Sequence, residues 1–318
     1  MYLCIYLDHC QNQGANILIP ALAGTLPEMS DQGLLGFVGL GVMGGPMAGH
    51  LLKSGRTVVV WNRTPSKSEP LKDRGCIVAA NLEELGKRCS TVFLCVNRTE
   101  DVQECLVALT STAAPNTVFV DHSTIAPQGA KLIADELALK GFRFIDAPVT
   151  GGSLGAERGQ LTVFCGGNSS DIEEARPAIE CYAKKMERVG GHGAGQMAKM
   201  ANQIAVGGAL LALCEALSFA KKAGLDVAQI RELVGGGAGG SWAFENYGPK
   251  ILAQDWSPGF SVKNQRKDFG YCLTAAESID AALPGTQLVD QLLSLLEDEG
   301  HGEWTTAALY EVMLRMGA

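Results

Sequence analysis

Basic residues are scarce in this chain of 318 residues, and their scarcity excludes several classes of partner. Acidic residues outnumber them, which gives a formal net charge of −8. Nucleic acids and anionic membranes attract a surplus of Lys and Arg, so neither is expected as a partner. The first basic residue is Lys53, which argues against the positive start of a secretory signal and against an arginine-rich transit peptide.

Closely spaced cysteines are missing as well. The ten cysteines are scattered singly and form no CxxC motif, and some, such as Cys95 and Cys165, lie in apolar runs. We interpret them as reduced thiols and expect a cytoplasmic protein. Cys4, His9 and Cys10 lie close together, but matching ligands elsewhere in the sequence are lacking, so we expect no metal site.

A glycine-rich turn stands where a buried strand would end. The apolar run at residues 34–38 is followed directly by Gly39-Leu40-Gly41-Val42-Met43-Gly44. The first glycine permits a tight turn, the second lets a pyrophosphate approach bare backbone, and the third lets a helix pack on the strand. Because residues 47–53 resemble a helix and 57–61 a second strand, the pattern predicts dinucleotide binding. The alternative is a glycine-rich turn without a ligand.

Apolar runs alternate with amphipathic stretches as far as about residue 189. This alternation predicts an α/β domain with a Rossmann-type, doubly wound, mostly parallel sheet and helices on both faces. The candidate strands are Leu35–Leu40, Thr57–Trp61, Thr91–Val96, Thr117–Asp121, Arg143–Ala147 and Leu161–Cys165.

The alternation stops near Gly190, and the rest of the chain is predicted to be all α. A long helix joining two domains is expected from Gln196 to Ala223, and Asp226 is expected to cap the helix after it. We expect residues 1–32 to form a poorly ordered extension, 33–192 a dinucleotide-binding domain, and 193–318 a helical domain for substrate binding and dimerisation. Further helices are predicted at about Ser241–Ala253, Asn264–Ala276, Gly285–Glu297 and Trp304–Met316.

The end of the second predicted strand bears on the choice of dinucleotide. NAD-specific units carry an acidic residue there, which holds the ribose 2′-hydroxyl. This chain has Asn62-Arg63-Thr64 instead, so no fixed negative charge repels a 2′-phosphate, and Arg63 offers a planar cationic donor. NADP(H) is therefore favoured over NAD(H). The alternative is that Arg63 merely points into solvent.

Three polar residues, Lys199, Asn202 and Gln203, share one face near the start of the long predicted helix. They form either a structural polar network at a domain joint or part of an active site. In the second case Lys199 is the acid/base of a hydride transfer, because an ammonium polarises a carbonyl and then protonates the alkoxide.

Other polar groups follow the predicted strands. Thr150, Gly151 and Gly152 come after the strand that ends near Asp146, where a hydroxyl and two backbone amides suit a carboxylate. The run 121–124 also ends a strand, and we treat His122 in it as a loop residue rather than a base. Each of these elements alone is commonly structural, and so is the Lys267-Asp268 pair.

In combination, these motifs resemble the β-hydroxyacid dehydrogenase family, whose relatives include 3-hydroxyisobutyrate and 6-phosphogluconate dehydrogenases. The resemblance extends from about Leu34 to Met316 and implies that Lys199 is catalytic. The substrate-binding residues that it implies are Ser123, Thr150, Gly151, Gly152, Asn202, Gln203 and Asp268. The cofactor-binding residues that it implies are the glycine turn, Asn62, Arg63, Thr64, Val96, Asn97, Thr124 and Lys267.

Departures from the family pattern refine the expected activity. Thr150 stands where Ser is common, His50 where Asn is usual, and Gln203 where the hydroxyisobutyrate branch has a second Asn. The last change is closer to the tartronate semialdehyde reductase branch, and the run Asn62-Arg63-Thr64 looks like that of the NADPH-dependent glyoxylate and succinic semialdehyde reductases. The resemblance therefore implies an NADP(H)-dependent reductase of glyoxylate, succinic semialdehyde or tartronate semialdehyde, each a small anionic oxo acid. The alternatives are oxidation of 3-hydroxyisobutyrate with NAD and a catalytically silent dinucleotide-binding module.

The stretch Ala205–Ala216 is small and apolar around its predicted helix, except at Glu215. One short domain is not expected to cover it completely, so we predict a homodimer or homotetramer.

Overall fold

The computed structural model describes residues 33–316, and their first half forms one nine-stranded sheet. The strands are β1 (Leu34–Val38), β2 (Val58–Trp61), β3 (Ile77–Val78), β4 (Cys89–Leu94), β5 (Val118–Asp121), β6 (Arg143–Asp146), β7 (Val149–Thr150), β8 (Leu161–Gly166) and β9 (Ala183–Gly190). Their order is β3-β2-β1-β4-β5-β6-β8-β7, and β9 pairs with β8. All pairs from β3 to β6 are parallel, as predicted for a doubly wound sheet.

Helices flank the sheet and then form the whole second half. The first group is α1 (Gly44–Lys53), α2 (Glu69–Lys72), α3 (Leu82–Arg88), α4 (Thr99–Thr110), α5 (Pro127–Leu139), α6 (Gly152–Arg158) and α7 (Ser169–Ile179). The second group is α8 (Ala194–Lys222), α9 (Val227–Gly235), α10 (Trp242–Asn246), α11 (Gly248–Ala253), α12 (Val262–Glu277), α13 (Pro284–Asp298) and α14 (Leu309–Arg315). The predicted fold class is thereby confirmed.

Apolar side chains cover both faces of the sheet. Along β2, Val58 and Val60 pack with Met47 on one face, whereas Val59 packs with Leu85 on the other. Successive strand residues point to opposite faces, so a sheet covered on both sides needs continuous apolar strands rather than alternating ones. That pattern is why the parallel strands could be recognised as apolar runs.

The long helix α8 lies at the joint between the two halves. It contacts β8 and β9 near its start, and α12 and α14 of the helical half. By length and composition alone it would be apolar enough to cross a bilayer. However, Leu210, Leu213 and Leu217 are fully buried in the core of the helical half, as expected for the central helix of a bundle.

Two helices predicted near the C-terminus were wrong in extent. The single helix expected over Ser241–Ala253 is divided into α10 and α11, because Pro249 has no N–H to bond to the carbonyl four residues earlier and so lies in the first turn of a new helix. The helix expected from Trp304 begins later, at Leu309, after a short 3-10 turn. Thr305 is instead held in an antiparallel bridge to Ser261.

The eight cysteines within the described residues are free thiols. Between Gly33 and Met316 no group of three or more His, Cys, Asp or Glu side chains is arranged to hold a metal ion. The expected extension, with Cys4, His9 and Cys10, lies outside the described residues.

Candidate active site

The candidate residues gather at one edge of the sheet, where the carboxyl ends of β1, β4, β5 and β6 meet. The strand order reverses between β1 and β4, and ligands of open α/β sheets bind in the crevice at such a switch point. The glycine turn follows β1, and the run at 96–97 follows β4. Residues 121–124 end β5, and residues 146–152 end β6.

The glycine turn has the geometry that its sequence predicts. Gly39 adopts φ of 92°, and a Cβ there would lie 2.3 Å from the carbonyl oxygen of Cys95. A Cβ at Gly44 would lie 1.9 Å from the carbonyl oxygen of Gly39. By contrast, a Cβ at Gly41 would meet none of the described atoms within 4 Å, so this backbone is open to a ligand.

The start of α1 faces the same turn. Met43 supplies no side-chain cap, and the first turn of the helix carries no acidic residue. Its free backbone N–H groups therefore have no side-chain partner and are available to bind a phosphate. Together with the open backbone at Gly41, this arrangement fits the pyrophosphate of a dinucleotide.

Asn62 and Arg63 have different surroundings at the end of β2. The Asn62 carboxamide accepts a hydrogen bond from the N–H of Leu40 at 2.8 Å and donates one to the carbonyl of Thr64 at 2.9 Å. It therefore braces the glycine turn against the second strand. The side chain of Arg63 is 82% exposed and lies 3.7 Å from the Asp101 carboxylate, which leaves its guanidinium accessible.

A cavity of about 770 Å³ borders the glycine turn. Gly41 and Val42 line it, and its charged lining residues are three basic ones and one acidic one: Lys53, Lys67, Arg74 and Glu157. This local positive charge contrasts with the net charge of the whole chain, and it favours an anionic ligand next to the turn.

Lys199 lies on the buried side of α8 and is only 7% exposed. Its Nζ donates a hydrogen bond to the carbonyl of Val149 at 2.9 Å, directly beside Thr150. Burial lowers the pKa of Lys199 to about 8, although the Asp268 carboxylate partly opposes this shift. The structure thus brings the predicted acid/base to the predicted carboxylate loop.

A hydrogen-bonded chain continues from the same face of α8. Asn202 donates to the Oε1 of Gln203 at 2.9 Å, and Gln203 donates to the Oδ2 of Asp268 at 2.7 Å. The other Asp268 oxygen lies 3.2 Å from the Nζ of Lys267. Burial raises the pKa of Asp268, and the ammonium groups of Lys267 and Lys199 oppose that rise. The predicted polar face therefore exists and reaches α12.

Lys267 extends from α12 to the loops of the nucleotide-binding half. Its Nζ donates to the carbonyls of Asn97 and of Thr124, the latter at 3.1 Å, and lies 5.5 Å from the ring centre of Tyr271. These loops follow β4 and β5, and the resemblance assigns cofactor contacts to both. The lysine therefore links the helical half to the two loops to which the resemblance assigns cofactor contacts.

The loop at Thr150 turns sharply after a short strand pair. Thr150 pairs with Thr162 of β8, and Gly151 and Gly152 follow with φ of 128° and 66°. Only glycine adopts both conformations without strain, so a substitution at either position would distort the loop. A Cβ at Gly152 would meet no described atom within 4 Å, which leaves its backbone open to a small ligand.

Ser123 is almost completely buried. It is 2% exposed, and its hydroxyl accepts a hydrogen bond from the N–H of Val96 at 2.9 Å. In this bond the hydroxyl only accepts, so its own O–H can still donate to a substrate carboxylate. The predicted role of Ser123 is therefore compatible with a structural one, in which it ties the end of β4 to the end of β5.

His122 is buried beside it and has both ring nitrogens engaged. One bonds to the carbonyl of Ala147 at 2.6 Å and the other to the Tyr182 hydroxyl at 2.8 Å. Burial lowers the pKa of His122 to about 4, so the imidazole is neutral near pH 7. These contacts agree with its interpretation as a non-catalytic residue.

Sequence reasoning missed the two side chains that fasten the start of α8. The carboxylate of Asp146 accepts the N–H of Gly193 at 2.8 Å and that of Gln196 at 3.0 Å, so it caps a helix that begins with glycines. The side chain of Gln196 bonds to Ser123 and Ile125. Helix termini need partners for their free N–H groups, and a glycine start without its own cap was the available signal.

Comparison with known proteins agrees with this arrangement. Residues 34–191 match the family model of the NAD binding domain of 6-phosphogluconate dehydrogenase. Residues 193–313 match the model described as NAD-binding of NADP-dependent 3-hydroxyisobutyrate dehydrogenase. The two models together cover nearly all of the described chain.

Curated relatives and solved structures give the same assignment. The probable 3-hydroxyisobutyrate dehydrogenase-like 1, mitochondrial, of Arabidopsis thaliana is 40% identical over 89% of this chain and 85% of that protein. The 2-hydroxy-3-oxopropionate reductase of Escherichia coli is 32% identical over 88% and 96%. The structure of Mycobacterium tuberculosis 3-hydroxyisobutyrate dehydrogenase with L-serine aligns with a TM-score of 0.81 at 28% identity, over 89% and 99%. The chain therefore belongs to the β-hydroxyacid dehydrogenase family, as a nicotinamide-dinucleotide-dependent oxidoreductase.

Proposed function

We propose that this protein reduces a small semialdehyde or 2-oxo acid with NADPH, with glyoxylate, succinic semialdehyde and tartronate semialdehyde as the leading candidates. The observation that carries the proposal is the buried amine of Lys199, held at the carbonyl of Val149 beside the Thr150 loop. A single buried cation next to a loop with open backbone amides suits a short acid with a neighbouring carbonyl.

In the proposed reaction, Lys199 acts on the carbonyl oxygen of the substrate. When bound, the nicotinamide supplies a hydride to the carbonyl carbon, and the oxygen gains negative charge. The ammonium of Lys199 stabilises that charge and then transfers its proton to the oxygen. Thr150 and the backbone of Gly151 and Gly152 hold the carboxylate, so that the reacting carbonyl meets the amine.

Preference for NADP(H) forms the second part of the proposal. Asn62 presents no negative charge at the end of β2, and the guanidinium of Arg63 is exposed there. A 2′-phosphate is expected to gain a charge-assisted hydrogen bond from Arg63. Arg63→Ala is therefore expected to weaken NADPH binding about tenfold or more and to leave NADH binding nearly unchanged. Equal dissociation constants for the two cofactors in the wild-type protein would contradict this preference.

A substrate panel tests the reaction itself. Cofactor oxidation would be followed by nicotinamide absorbance with glyoxylate, succinic semialdehyde and tartronate semialdehyde, and the reverse reaction with 3-hydroxyisobutyrate and NAD⁺. Lys199→Ala is expected to lower turnover by on the order of 10³-fold or more, because it removes a general acid and an electrostatic stabiliser together. The dissociation constant for NADPH is expected to change little.

The outcomes of the panel separate the alternatives. Turnover with 3-hydroxyisobutyrate and NAD⁺ alone would replace the reductase with the oxidative dehydrogenase. NADPH binding without turnover on any substrate would favour a silent dinucleotide-binding module. Full activity in Lys199→Ala would remove the mechanism.

Two further proposals concern the oligomeric state and the cellular location. We propose that the protein is a homodimer or homotetramer, since residues along one side of α8 are exposed and small. We also propose a cytoplasmic location, which rests on the scattered single cysteines. Light scattering tests the first, and fractionation of the source cells tests the second.

A further inference from the structure

Gln196 connects the start of α8 to the loop after β5. The side chain is fully buried; its oxygen accepts the N–H of Ile125 at 3.2 Å, and its nitrogen donates to the carbonyl of Ser123 at 2.8 Å. These partners fix the orientation of the amide, because only its oxygen accepts and only its nitrogen donates. Gln196 therefore holds the backbone on both sides of Thr124.

Asp146, at the carboxyl end of β6, holds the same turn of α8. Its carboxylate accepts the N–H groups of Gly193 and Gln196, at 2.8 Å and 3.0 Å. It lies opposite Asp121 in the register of the parallel pair β5 and β6. The helix start, the β5 loop and the β6 end are thus joined through the side chain and backbone of one glutamine.

Lys199 lies three residues after Gln196, on the same face of the helix. Thr124, between the two backbone groups that Gln196 holds, is also bonded through its carbonyl to Lys267. The first turn of α8, which carries the predicted acid/base Lys199, is therefore connected to Thr124, a predicted cofactor contact, through the side chain of Gln196.

We propose that Gln196 is a positioning residue, which sets the distance between the Lys199 amine and the cofactor loop at Thr124. The proposal rests on the function proposed above, because it assumes that this amine and this loop act in one reaction. A misplacement of about 1 Å between reacting groups is sufficient to slow an enzyme about 10²-fold. Two buried hydrogen bonds at this joint are well placed to prevent such a shift.

Gln196→Met tests the proposal, because methionine has a similar length and offers neither hydrogen bond. We expect kcat to fall about tenfold to a hundredfold, while the KM of the aldehyde substrate changes much less. The N–H of Ile125 loses its acceptor, so its hydrogen exchange is expected to become faster. Exchange at Ile125 is measured without substrate or turnover, so it remains informative even if the substrate panel finds no activity.

Gln196→Glu gives a variant that pH is expected to rescue. Protonated, the introduced carboxyl group accepts from Ile125 and donates to Ser123, as the amide does. Ionised, it faces the Ser123 carbonyl without a proton to donate. We therefore expect kcat of this variant, relative to wild type, to rise as the pH is lowered. The charged groups around the position are Asp121, Asp146, Lys199 and Lys267, and the comparison is made below the Lys199 pKa of about 8, where that amine is protonated in both proteins.

Gln265→Met is the matched control. Gln265 is also fully buried on a helix, but neither polar atom of its side chain has a hydrogen-bond partner among residues 33–316. Its replacement is expected to leave kcat and the exchange of Ile125 unchanged. The control separates the effect of losing the two Gln196 hydrogen bonds from the effect of replacing any buried glutamine.

The outcomes that overturn the proposal are distinct from those that overturn the reaction. Unchanged kcat and unchanged Ile125 exchange in Gln196→Met would remove the positioning role. A loss of thermal stability with normal kcat, together with no pH-dependent recovery in Gln196→Glu, would make Gln196 merely structural. Absence of turnover in wild type would refute the proposed function. The exchange measurement would still decide whether Gln196 holds the N–H of Ile125.

Discussion

At the scale of single residues, burial determines the chemistry of the site. Lys199 and Asp268 lie in the same buried network. Burial lowers the pKa of Lys199 and raises that of Asp268, which favours the neutral form of each. A lysine with a pKa near the working pH exchanges protons readily in both directions of a redox reaction. The perturbed lysine is therefore more informative about function than the polar composition of the helix.

The pH dependence of the reaction follows from this lysine. Its pKa is about 8, so the ammonium, which is the proposed proton donor, predominates below that pH and is lost above it. We expect kcat/KM for reduction to be level at lower pH and to fall tenfold per unit at higher pH, because one proton is lost. In the oxidative direction the neutral amine is required, so the rate should rise toward the same pH. A reduction profile that stays level far above the pKa would contradict the assignment.

Asp121 provides a second test at the same scale, through stability. Burial raises its pKa from 3.8 to about 7, and within the described residues its Oδ2 has no hydrogen-bond partner. The folded state therefore binds more protons than the unfolded state between these two values, and stability falls as the pH rises through that window. Asp121→Asn removes the ionisation and should stabilise the protein by roughly 1–3 kcal/mol at about pH 8, and less at about pH 5.

Urea unfolding of both proteins across this pH range measures the difference. The comparison cancels contributions from groups that do not interact with Asp121, but Asp146 is not among them, because its charge helps to raise the pKa of Asp121. A stability difference that does not change with pH would mean that Asp121 titrates normally.

At the scale of elements, the start of α8 is placed by close backbone contact. A Cβ on Gly195 would lie 2.4 Å from the carbonyl oxygen of Asp146 and 2.5 Å from that of Phe164. Both obstacles are backbone atoms, so a side chain there would displace the helix rather than a flexible neighbour. The glycine thus sets how near the Lys199 end of the helix approaches the strand ends.

Gly195→Ala is expected to shift α8 outward, with a loss of about 1–3 kcal/mol in the free energy of unfolding and at least a tenfold lower kcat. Gly270→Ala, at an exposed position of α12, is the control. A Cβ there would have none of the described atoms within 4 Å, so the change should stabilise the helix by about 0.5–1 kcal/mol. Denaturant unfolding and steady-state kinetics measure both effects, and equal behaviour of the two variants would refute the close-packing argument.

Elements with a strong local pattern were predictable, and those without one were missed. The glycine turn and α8 were recognised because turn chemistry and continuous apolar character appear directly in the sequence. β9 was missed because it reads AKKMERVG and has many exposed charged residues, which hides the strand pattern. α7 was missed because Pro177 lies inside it.

At the scale of the whole molecule, the site depends on contacts between residues far apart in the sequence. The spacing of Lys199 and Gln203 predicted a shared helix face, because that relation is local. The bonds from Lys267 to Asn97 and Thr124 join residues more than a hundred positions apart, and no local pattern encodes them. Only the family resemblance suggested that Lys267 reaches the cofactor loops.

The exposed side of α8 belongs to the same scale, because it concerns assembly. Ala205, Gly208, Ala212 and one charged residue, Glu215, are exposed along it, and Phe219 is 74% exposed. Small residues allow two helices to approach closely, and a large exposed aromatic side chain next to them is costly in water. These features support the proposed dimer or tetramer, with this side of α8 in the interface.

Gly208→Arg tests that interface. The arginine is expected to clash with nothing inside its own chain, since a Cβ there would have no described atom within 4 Å. In an assembled protein it would place a bulky charged side chain where two helices approach closely, so the mass from light scattering should fall toward that of one chain. Gly285→Arg is the control, because Gly285 is exposed and equally unobstructed among residues 33–316, but lies on α13. An unchanged mass in Gly208→Arg, or a single-chain mass in wild type, would refute this interface.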